Sequence, residues 1–194
     1  KSTGQLEMAV KCFERAVEIK PDYADAHFNL GLTLQELNQL DAAVKCYQVT
    51  LALESSYVKA HNNLGIIYKE LGKMADAVKS YEQAIALQPG FAEAHNNLGI
   101  TFQELGQLDE AVKCYEEALV IQPDYIEVLN NHGNTLKLLG QTDEALNSYK
   151  QALSINPDYA DAHNNIGIIY HETGQLDEAI KCYRQALVIN PDYA

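Results

Sequence analysis

The chain has 194 residues, of which 47% are hydrophobic and 21% charged, the balance of an ordinary globular protein. Its formal net charge of −13 repels phosphate backbones and anionic lipid surfaces, so we expect no nucleic-acid partner. No apolar run approaches the ~18 residues that a membrane span needs, so we expect no membrane partner either. The opening stretch, KSTGQLEMAV, has neither an initiator methionine nor a signal-peptide apolar region, which predicts a soluble fragment of a longer protein.

The chain is organised by a period of 34 residues. The recurring glycines are Gly31, Gly65, Gly99, Gly133 and Gly167. We predict one solenoid domain over residues 1–194. Its predicted parts are a leading half repeat at 1–23 and full repeats at 24–57, 58–91, 92–125, 126–159 and 160–193.

Each full repeat predicts two helices, which we call helix A (positions 2 to about 14) and helix B (positions about 18 to 31). In helix A, apolar or small residues at positions 3, 7, 10, 11 and 14 gather on one face, at about 100° per residue. The residues expected to end helix A in a left-handed conformation are Asn38, Gly72, Gly106, Gly140 and Gly174. Helix B should end before Pro21, Pro89, Pro123, Pro157 and Pro191, because proline cannot continue a helix.

Small and large side chains alternate between the two helices. Position 8 is glycine, and position 24 is Tyr47, Tyr81, Tyr115, Tyr149 or Tyr183, so we expect the tyrosine to fill the space that the glycine leaves. One hairpin of this size cannot bury its apolar faces alone, so the repeats must stack. The sequence therefore predicts an all-α solenoid.

These features resemble the tetratricopeptide repeat (TPR). The resemblance lies in the period, in Leu-Gly at positions 7 and 8, in aromatic residues at 11 and 24, in alanine at 20 and 27, and in proline at 32. It implies a right-handed superhelical solenoid of stacked antiparallel helix pairs. Leu34, Thr50 and Ser55 depart from the pattern, which predicts that the first full repeat is the least regular.

Cysteine and histidine follow the period, which argues against a disulfide framework or a metal site. Cys12, Cys46, Cys114 and Cys182 are 34, 68 and 68 residues apart, and equivalent residues of stacked repeats should lie beyond the ~7 Å limit for a disulfide. We therefore predict reduced thiols in an intracellular, cytoplasmic protein.

The histidines at position 4 are His27, His61, His95 and His163. Stacked helices lie ~8–10 Å apart, so these side chains cannot share one ion. Leu129 in the same slot indicates that the position needs bulk more than imidazole.

Helix A carries a second stripe, at positions 2, 6, 9 and 13, which points away from the predicted core. Position 6 is always asparagine, namely Asn29, Asn63, Asn97, Asn131 and Asn165. Position 9 is Leu32, Ile66, Ile100, Asn134 and Ile168. Asparagine is a mediocre helix former and branched apolar residues gain nothing in water, so the stripe looks like a surface that a ligand covers.

A carboxamide offers one acceptor and two N–H donors, which match the main chain of an extended peptide. The stripe also resembles the asparagine ladder in the repeat region of O-linked GlcNAc transferases, which implies that the position 6 asparagines grip ligand main chain. The position 5 asparagines, Asn62, Asn96, Asn130 and Asn164, are expected to flank the groove. The alternative is structural, with position 9 packed against the neighbouring repeat and asparagine bonded locally between helices.

The charge of the stripe favours neutral or basic ligands. Positions 2 and 13 carry Asp25, Glu36, Glu70, Glu93, Glu104, Glu127, Asp161 and Glu172, against the single base Lys59.

We predict a protein–protein interaction scaffold that binds an extended peptide in a concave groove, with no catalytic residue, metal or cofactor in these 194 residues. One alternative is the substrate-recruiting arm of a larger enzyme such as an O-linked GlcNAc transferase. A second alternative is a structural spacer that self-associates end to end.

Overall fold

The computed structural model describes residues 3–192, which form eleven α-helices and no β-strand. The helices are α1 (Thr3–Ile19), α2 (Ala24–Glu36), α3 (Leu40–Leu53), α4 (Val58–Glu70), α5 (Met74–Leu87), α6 (Ala92–Glu104), α7 (Leu108–Ile121), α8 (Ile126–Leu138), α9 (Thr142–Ile155), α10 (Ala160–Glu172) and α11 (Leu176–Ile189). Even-numbered helices are helix A and odd-numbered ones are helix B. The fold is an all-α helical-repeat solenoid, as predicted; its handedness stays a prediction.

The turns between helix A and helix B have the predicted left-handed residues. The φ values are 58° for Asn38, 72° for Gly72, 73° for Gly106, 76° for Gly140 and 78° for Gly174. At each turn the chain folds back on helix A, as where the Lys73 N–H donates to the Tyr68 carbonyl at 2.8 Å. These residues therefore close each helix A through the bond pattern that a left-handed residue permits.

The chain divides into two compact units, the first ending at Asn97 and the second beginning at Leu98. The core of the first unit contains Phe28, Leu30, Leu34, Ala43, Tyr47, Ala60, Leu64 and Ile67. The larger core cluster of the second contains Leu129, Leu136, Ala145, Tyr149, Ala152, Ala162, Ile166 and Ile169. In both, the core consists of apolar residues from helices A and B, as their spacing predicts. The assignment of residues 1–194 to one solenoid domain stays a prediction.

Glycine at position 8 and tyrosine at position 24 interlock as predicted. A β-carbon at Gly31 would lie 2.7 Å from Tyr47 Cε1, and one at Gly133 would lie 2.5 Å from Tyr149 Cε1. Tyr47 and Tyr149 are completely buried. The glycine backbone thus forms one wall of the tyrosine site, and close-packed interiors leave no room for an added methyl group there.

None of the helices formed by residues 3–192 has the length and apolarity that crossing a membrane requires.

Candidate peptide-binding surface

The position 4 histidines are held by hydrogen bonds to the loop before each helix A. In each case Nε2 donates to a carbonyl oxygen six residues earlier. The pairs are His27 with Pro21 at 2.9 Å, His61 with Ser55 at 3.0 Å, His95 with Pro89 at 3.0 Å and His163 with Pro157 at 2.9 Å. In these four repeats the imidazole holds the loop that leads into helix A, a contribution that the prediction from bulk does not include. Among residues 3–192, no cluster of three His, Cys, Asp or Glu side chains is placed to hold a metal ion.

The position 6 asparagines lie half-buried in all five full repeats. In the first unit, Asn29 Nδ2 donates to the main-chain carbonyl of Asp25 at 2.8 Å. Asn63 Nδ2 donates to the Tyr47 hydroxyl at 3.2 Å, and that hydroxyl donates to Gln35 Oε1 at 2.9 Å. Asn63 is therefore joined to the tyrosine of the preceding repeat, 16 residues earlier.

Carboxamides at positions 6 and 5 join successive repeats within each unit. Asn97 Nδ2 donates to Asn62 Oδ1 at 3.1 Å in the first unit. In the second unit, Asn165 Nδ2 donates to Asn130 Oδ1 at 2.9 Å and to Asn134 Oδ1 at 3.0 Å. Each bond runs from a position 6 asparagine to an asparagine of the preceding repeat. This is the local bonding between helices that the structural alternative anticipates.

The position 5 asparagines are mostly buried. The exposed fraction is 2% for Asn62, 3% for Asn96 and 8% for Asn130, whereas Asn164 is half-buried. Besides accepting the bond from Asn97, Asn62 donates from Nδ2 to Glu93 Oε1 at 3.0 Å. The first three side chains thus have almost no surface for a ligand, in contrast to the groove-flanking position expected from the sequence. The available signal was Phe28, since an aromatic residue at position 5 indicates a buried site.

The position 9 residues Leu32, Ile66, Ile100 and Ile168 are half-buried. Leu32 packs against the core of the first unit, and Ile100 packs against a core cluster of the second. Asn134, which takes the same position in α8, accepts a hydrogen bond from the Tyr149 hydroxyl at 2.8 Å. These side chains therefore serve the packing of the repeats and still keep an exposed part.

The acidic residue at position 2 of the first full repeat has a partner in the structure. The Tyr57 hydroxyl donates to Asp25 Oδ1 at 2.8 Å, and the Tyr57 ring packs on Phe28 with centroids 4.8 Å apart. Burial, followed by the bond to Asp25, raises the pKa of Tyr57 to about 12. Asp25 is therefore engaged in closing its own repeat, and is not a carboxylate held only in water.

A half-buried histidine in the second unit could be noticed only from its repeat position, and it was missed by the sequence reasoning. His132 takes position 7, which is leucine or isoleucine in the other full repeats. Its Nδ1 lies 3.1 Å from Ser148 Oγ, while Nε2 is buried without a hydrogen-bond partner. Burial lowers the pKa of His132, and the charge of Glu116 opposes the shift. Its place in an otherwise aliphatic column is the signal that could have revealed it.

Family profiles match the chain over most of its length. The profile described as "TPR repeat" matches residues 1–38, 33–72, 67–106 and 133–174. The profile described as "Tetratricopeptide repeat" matches residues 92–125 and 160–193. No curated protein sequence matches the chain.

Solved structures of repeat proteins are similar to the chain. YrrB, described as "a TPR protein with an unusual peptide-binding site", is 25% identical with a TM-score of 0.76, over 95% of each chain. MamA is 25% identical with a TM-score of 0.77, over 84% of this chain and 95% of its own. The pilF protein of Pseudomonas aeruginosa is 21% identical with a TM-score of 0.84, over 97% of this chain and 86% of its own, and shows the shared fold alone.

Proposed function

Because the chain belongs to the tetratricopeptide repeat family, we propose that it is a protein–protein interaction scaffold whose position 6 asparagines bind the main chain of an extended partner segment. The observation that carries the proposal is that these asparagines are half-buried in every full repeat, and that side chains of the preceding repeat hold the amide groups of Asn63, Asn97 and Asn165. A surface fixed before binding loses less conformational entropy when a ligand arrives.

The bonds between successive repeats determine which amide groups are left for a ligand. Both N–H groups of Asn165 can be used by Asn130 and Asn134, which leaves Oδ1 as an acceptor. Asn63 uses Nδ2 toward Tyr47 and likewise accepts no bond at Oδ1 from residues 3–192. We therefore infer that the ladder acts mainly as a row of acceptors, and that the N–H groups of the partner main chain donate to it.

In this proposal the position 5 asparagines hold the ladder in place and do not bind the main chain of the ligand. Asn62 and Asn130 each accept a bond from a position 6 asparagine and are buried, so they fix the orientation of Asn97 and Asn165. Peptide-contacting roles remain proposed for Asn29, Asn63, Asn97, Asn131 and Asn165. The exposed parts of Ile66, Ile100 and Ile168 would add about 25 cal/mol for each Å² of apolar surface that a ligand covers.

The proposed partner is neutral or basic over most of its length. The helix A surface carries acidic residues at positions 2 and 13 in most full repeats, and the chain as a whole has a formal charge of −13. Complementary charge mainly accelerates association, so the association rate should fall as salt rises while the dissociation rate changes less.

The test uses peptides selected on the wild-type chain from a display library. Asn63→Ala combined with Asn165→Ala removes one acceptor in each unit, and at about 0.5–1.5 kcal/mol per hydrogen bond the loss should reach about tenfold in Kd. Asn147→Ala is the matched control, because Asn147 is an exposed asparagine on helix B. Unchanged affinity in the double variant, with an intact helical circular dichroism spectrum, rejects the ladder as the binding element.

A second candidate, the self-associating spacer, is favoured by the apolar surface of α11. Leu176, Ile180 and Leu187 are 55%, 47% and 47% exposed. In earlier helix B segments, Val112 and Leu146 occupy the position of Ile180 and are partly buried. Sedimentation at increasing concentration, with Ile180→Glu as the variant, tests this candidate, since association through α11 must weaken in the variant. The enzyme-arm alternative and the cytoplasmic location stay predictions.

A further inference from the structure

Position 2 of helix A and position 34 at the end of the same repeat carry matched residues. The acid–tyrosine pairs in the sequence are Asp25 with Tyr57, Glu93 with Tyr125, Glu127 with Tyr159 and Asp161 with Tyr193. The second full repeat differs at both places, with Lys59 and Phe91. The one basic residue therefore coincides with the one position 34 aromatic that lacks a hydroxyl.

The structure shows what the acid–tyrosine pair does in the first full repeat. Tyr57 donates its hydroxyl to Asp25 Oδ1 at 2.8 Å and covers Phe28 with its ring. Phe91 has no hydroxyl to donate, and Lys59 has no acceptor to offer. Lys59 is exposed and forms no hydrogen bond or ion pair with residues 3–192. The second full repeat thus lacks the bond that closes the first.

A cavity of about 280 Å³ lies at this point of the first unit. Its apolar wall is made by Phe28, Leu32 and Phe91, and its polar wall by Lys59, Asn62, Asn63 and Glu93. The volume is below the roughly 300–1,000 Å³ of pockets for small molecules, so it suits one or two side chains of a longer ligand. Phe28 is only 7% exposed and is held between the rings of Tyr47 and Tyr57, which makes the apolar wall rigid.

Lys59 is the group at the cavity that favours a carboxylate on the ligand. Glu93 accepts a bond from Asn62 Nδ2 at 3.0 Å, which fixes one of its oxygens while the carboxylate keeps its charge. The ammonium of Lys59 has no ion-pair partner among residues 3–192, and a hydrated ammonium on a flexible stem readily pairs with a carboxylate from a binding partner. This local preference is opposite to that of the acidic helix A surface as a whole.

We propose that this cavity, which we call the Lys59 pocket, takes an apolar side chain of the partner segment while Lys59 pairs with an acidic side chain two residues away. The inference rests on the proposed function, because it requires an extended segment on the helix A surface. In an extended segment, residues i and i+2 face the same side, at about 6.5–7 Å. The partner is therefore neutral or basic elsewhere and carries an apolar–x–Asp/Glu motif, in either direction, at the Lys59 pocket.

The test introduces into the second full repeat the acid–tyrosine pair that the first full repeat has. Lys59→Asp combined with Phe91→Tyr should form the bond seen between Tyr57 and Asp25, and Lys59→Gln removes only the charge of an exposed side chain and so preserves the fold. Display selection on wild type should enrich apolar–x–Asp/Glu peptides. In the tightest selected peptide, changing the acid to its amide should weaken binding to wild type about threefold. Changing the apolar residue to serine should weaken it about tenfold.

The two variants separate this inference from the proposed function. On the double variant neither peptide change should weaken binding, and on Lys59→Gln only the acid-to-amide change should lose its effect. If the selected peptides bind wild type and both variants alike, yet weaken with Asn63→Ala and Asn165→Ala, the Lys59 pocket is rejected and the ladder stands. If the asparagine variants also leave the affinity unchanged, both proposals fall.

Discussion

The backbone of Gly65 lies so close to the ring of Tyr81 that a β-carbon at residue 65 would stand 2.5 Å from Tyr81 Cε1. The ring cannot move away easily, because Tyr81 is completely buried. Gly65→Ala should therefore lower the free energy of unfolding by about 1–3 kcal/mol, the usual cost of overpacking a core.

The measurement for Gly65→Ala is chemical denaturation followed by circular dichroism. Gly90→Ala is the control, because a β-carbon at residue 90 has no atom within 4 Å. Its stability should equal or slightly exceed that of wild type. Equal denaturation midpoints for the two variants would contradict the account of the glycine–tyrosine contact.

His132 should make the second unit sensitive to mild acid. Burial lowers its pKa below the ordinary value of 6.5, and Glu116 opposes the shift. Below about pH 6.5 the imidazole of residue 132 therefore binds a proton more readily in the unfolded chain than in the folded chain. The free energy of unfolding consequently falls as the pH falls. His132→Leu should reduce this fall, and comparing denaturation midpoints at about pH 7 and pH 5.5 measures it. Parallel pH dependence in both proteins would exclude His132 as the cause.

At neutral pH the same substitution, His132→Leu, should stabilise the chain by about 1 kcal/mol. Nε2 is buried without a partner, and leucine removes that unsatisfied atom while restoring the residue type of the other repeats. Thermal unfolding of both proteins at pH 7 provides the measurement. A lower midpoint for the leucine variant would show that the contact with Ser148 stabilises the chain by more than the unsatisfied Nε2 destabilises it.

Alkaline solution should unfold the repeats through their buried tyrosines. Burial raises the pKa of Tyr47 to about 12, and burial also raises the pKa values of Tyr115 and Tyr149. The folded state thus favours the neutral phenols, so this stability is complete below about pH 10 and is lost as the pH rises toward 12 and beyond. Phenolate absorbance and circular dichroism should change together. Titration of all 12 tyrosines near pH 10 with the helices intact would contradict this.

Asn165→Asp should destabilise the second unit by about 1–3 kcal/mol. The substitution replaces a donor with a carboxylate facing Asn130 Oδ1 and Asn134 Oδ1, so Asn130 Oδ1 loses its donor and Asn134 Oδ1 keeps only the bond from Tyr149. Asn29→Asp, at the same repeat position, is the matched comparison, because Asn29 bonds only within its own helix, to the carbonyl of Asp25. Denaturation of both variants checks the difference. Equal losses would mean that the bonds between repeats add nothing.

The helices and turns could be predicted because each depends on residues close together in the chain. The left-handed conformations of Asn38 and Gly72 follow from local backbone sterics, and the glycine–tyrosine contact follows from one hairpin. The burial of Asn62 could not be predicted in this way, because its partners Glu93 and Asn97 lie 31 and 35 residues away. Periodicity indicates which face of a helix a residue takes, while the depth of burial depends on how the next repeat packs.

The bonds from Asn97 to Asn62 and from Asn165 to Asn130 both run from a later repeat to an earlier one. Within each unit the row of carboxamides therefore has a direction, because the donor lies in the later repeat and the acceptor in the earlier one. A polypeptide also has a direction. The same segment bound in the N-to-C or in the C-to-N direction would therefore present different main-chain atoms to a given carboxamide oxygen. Such a row would distinguish the two directions of a bound segment without contacting any of its side chains.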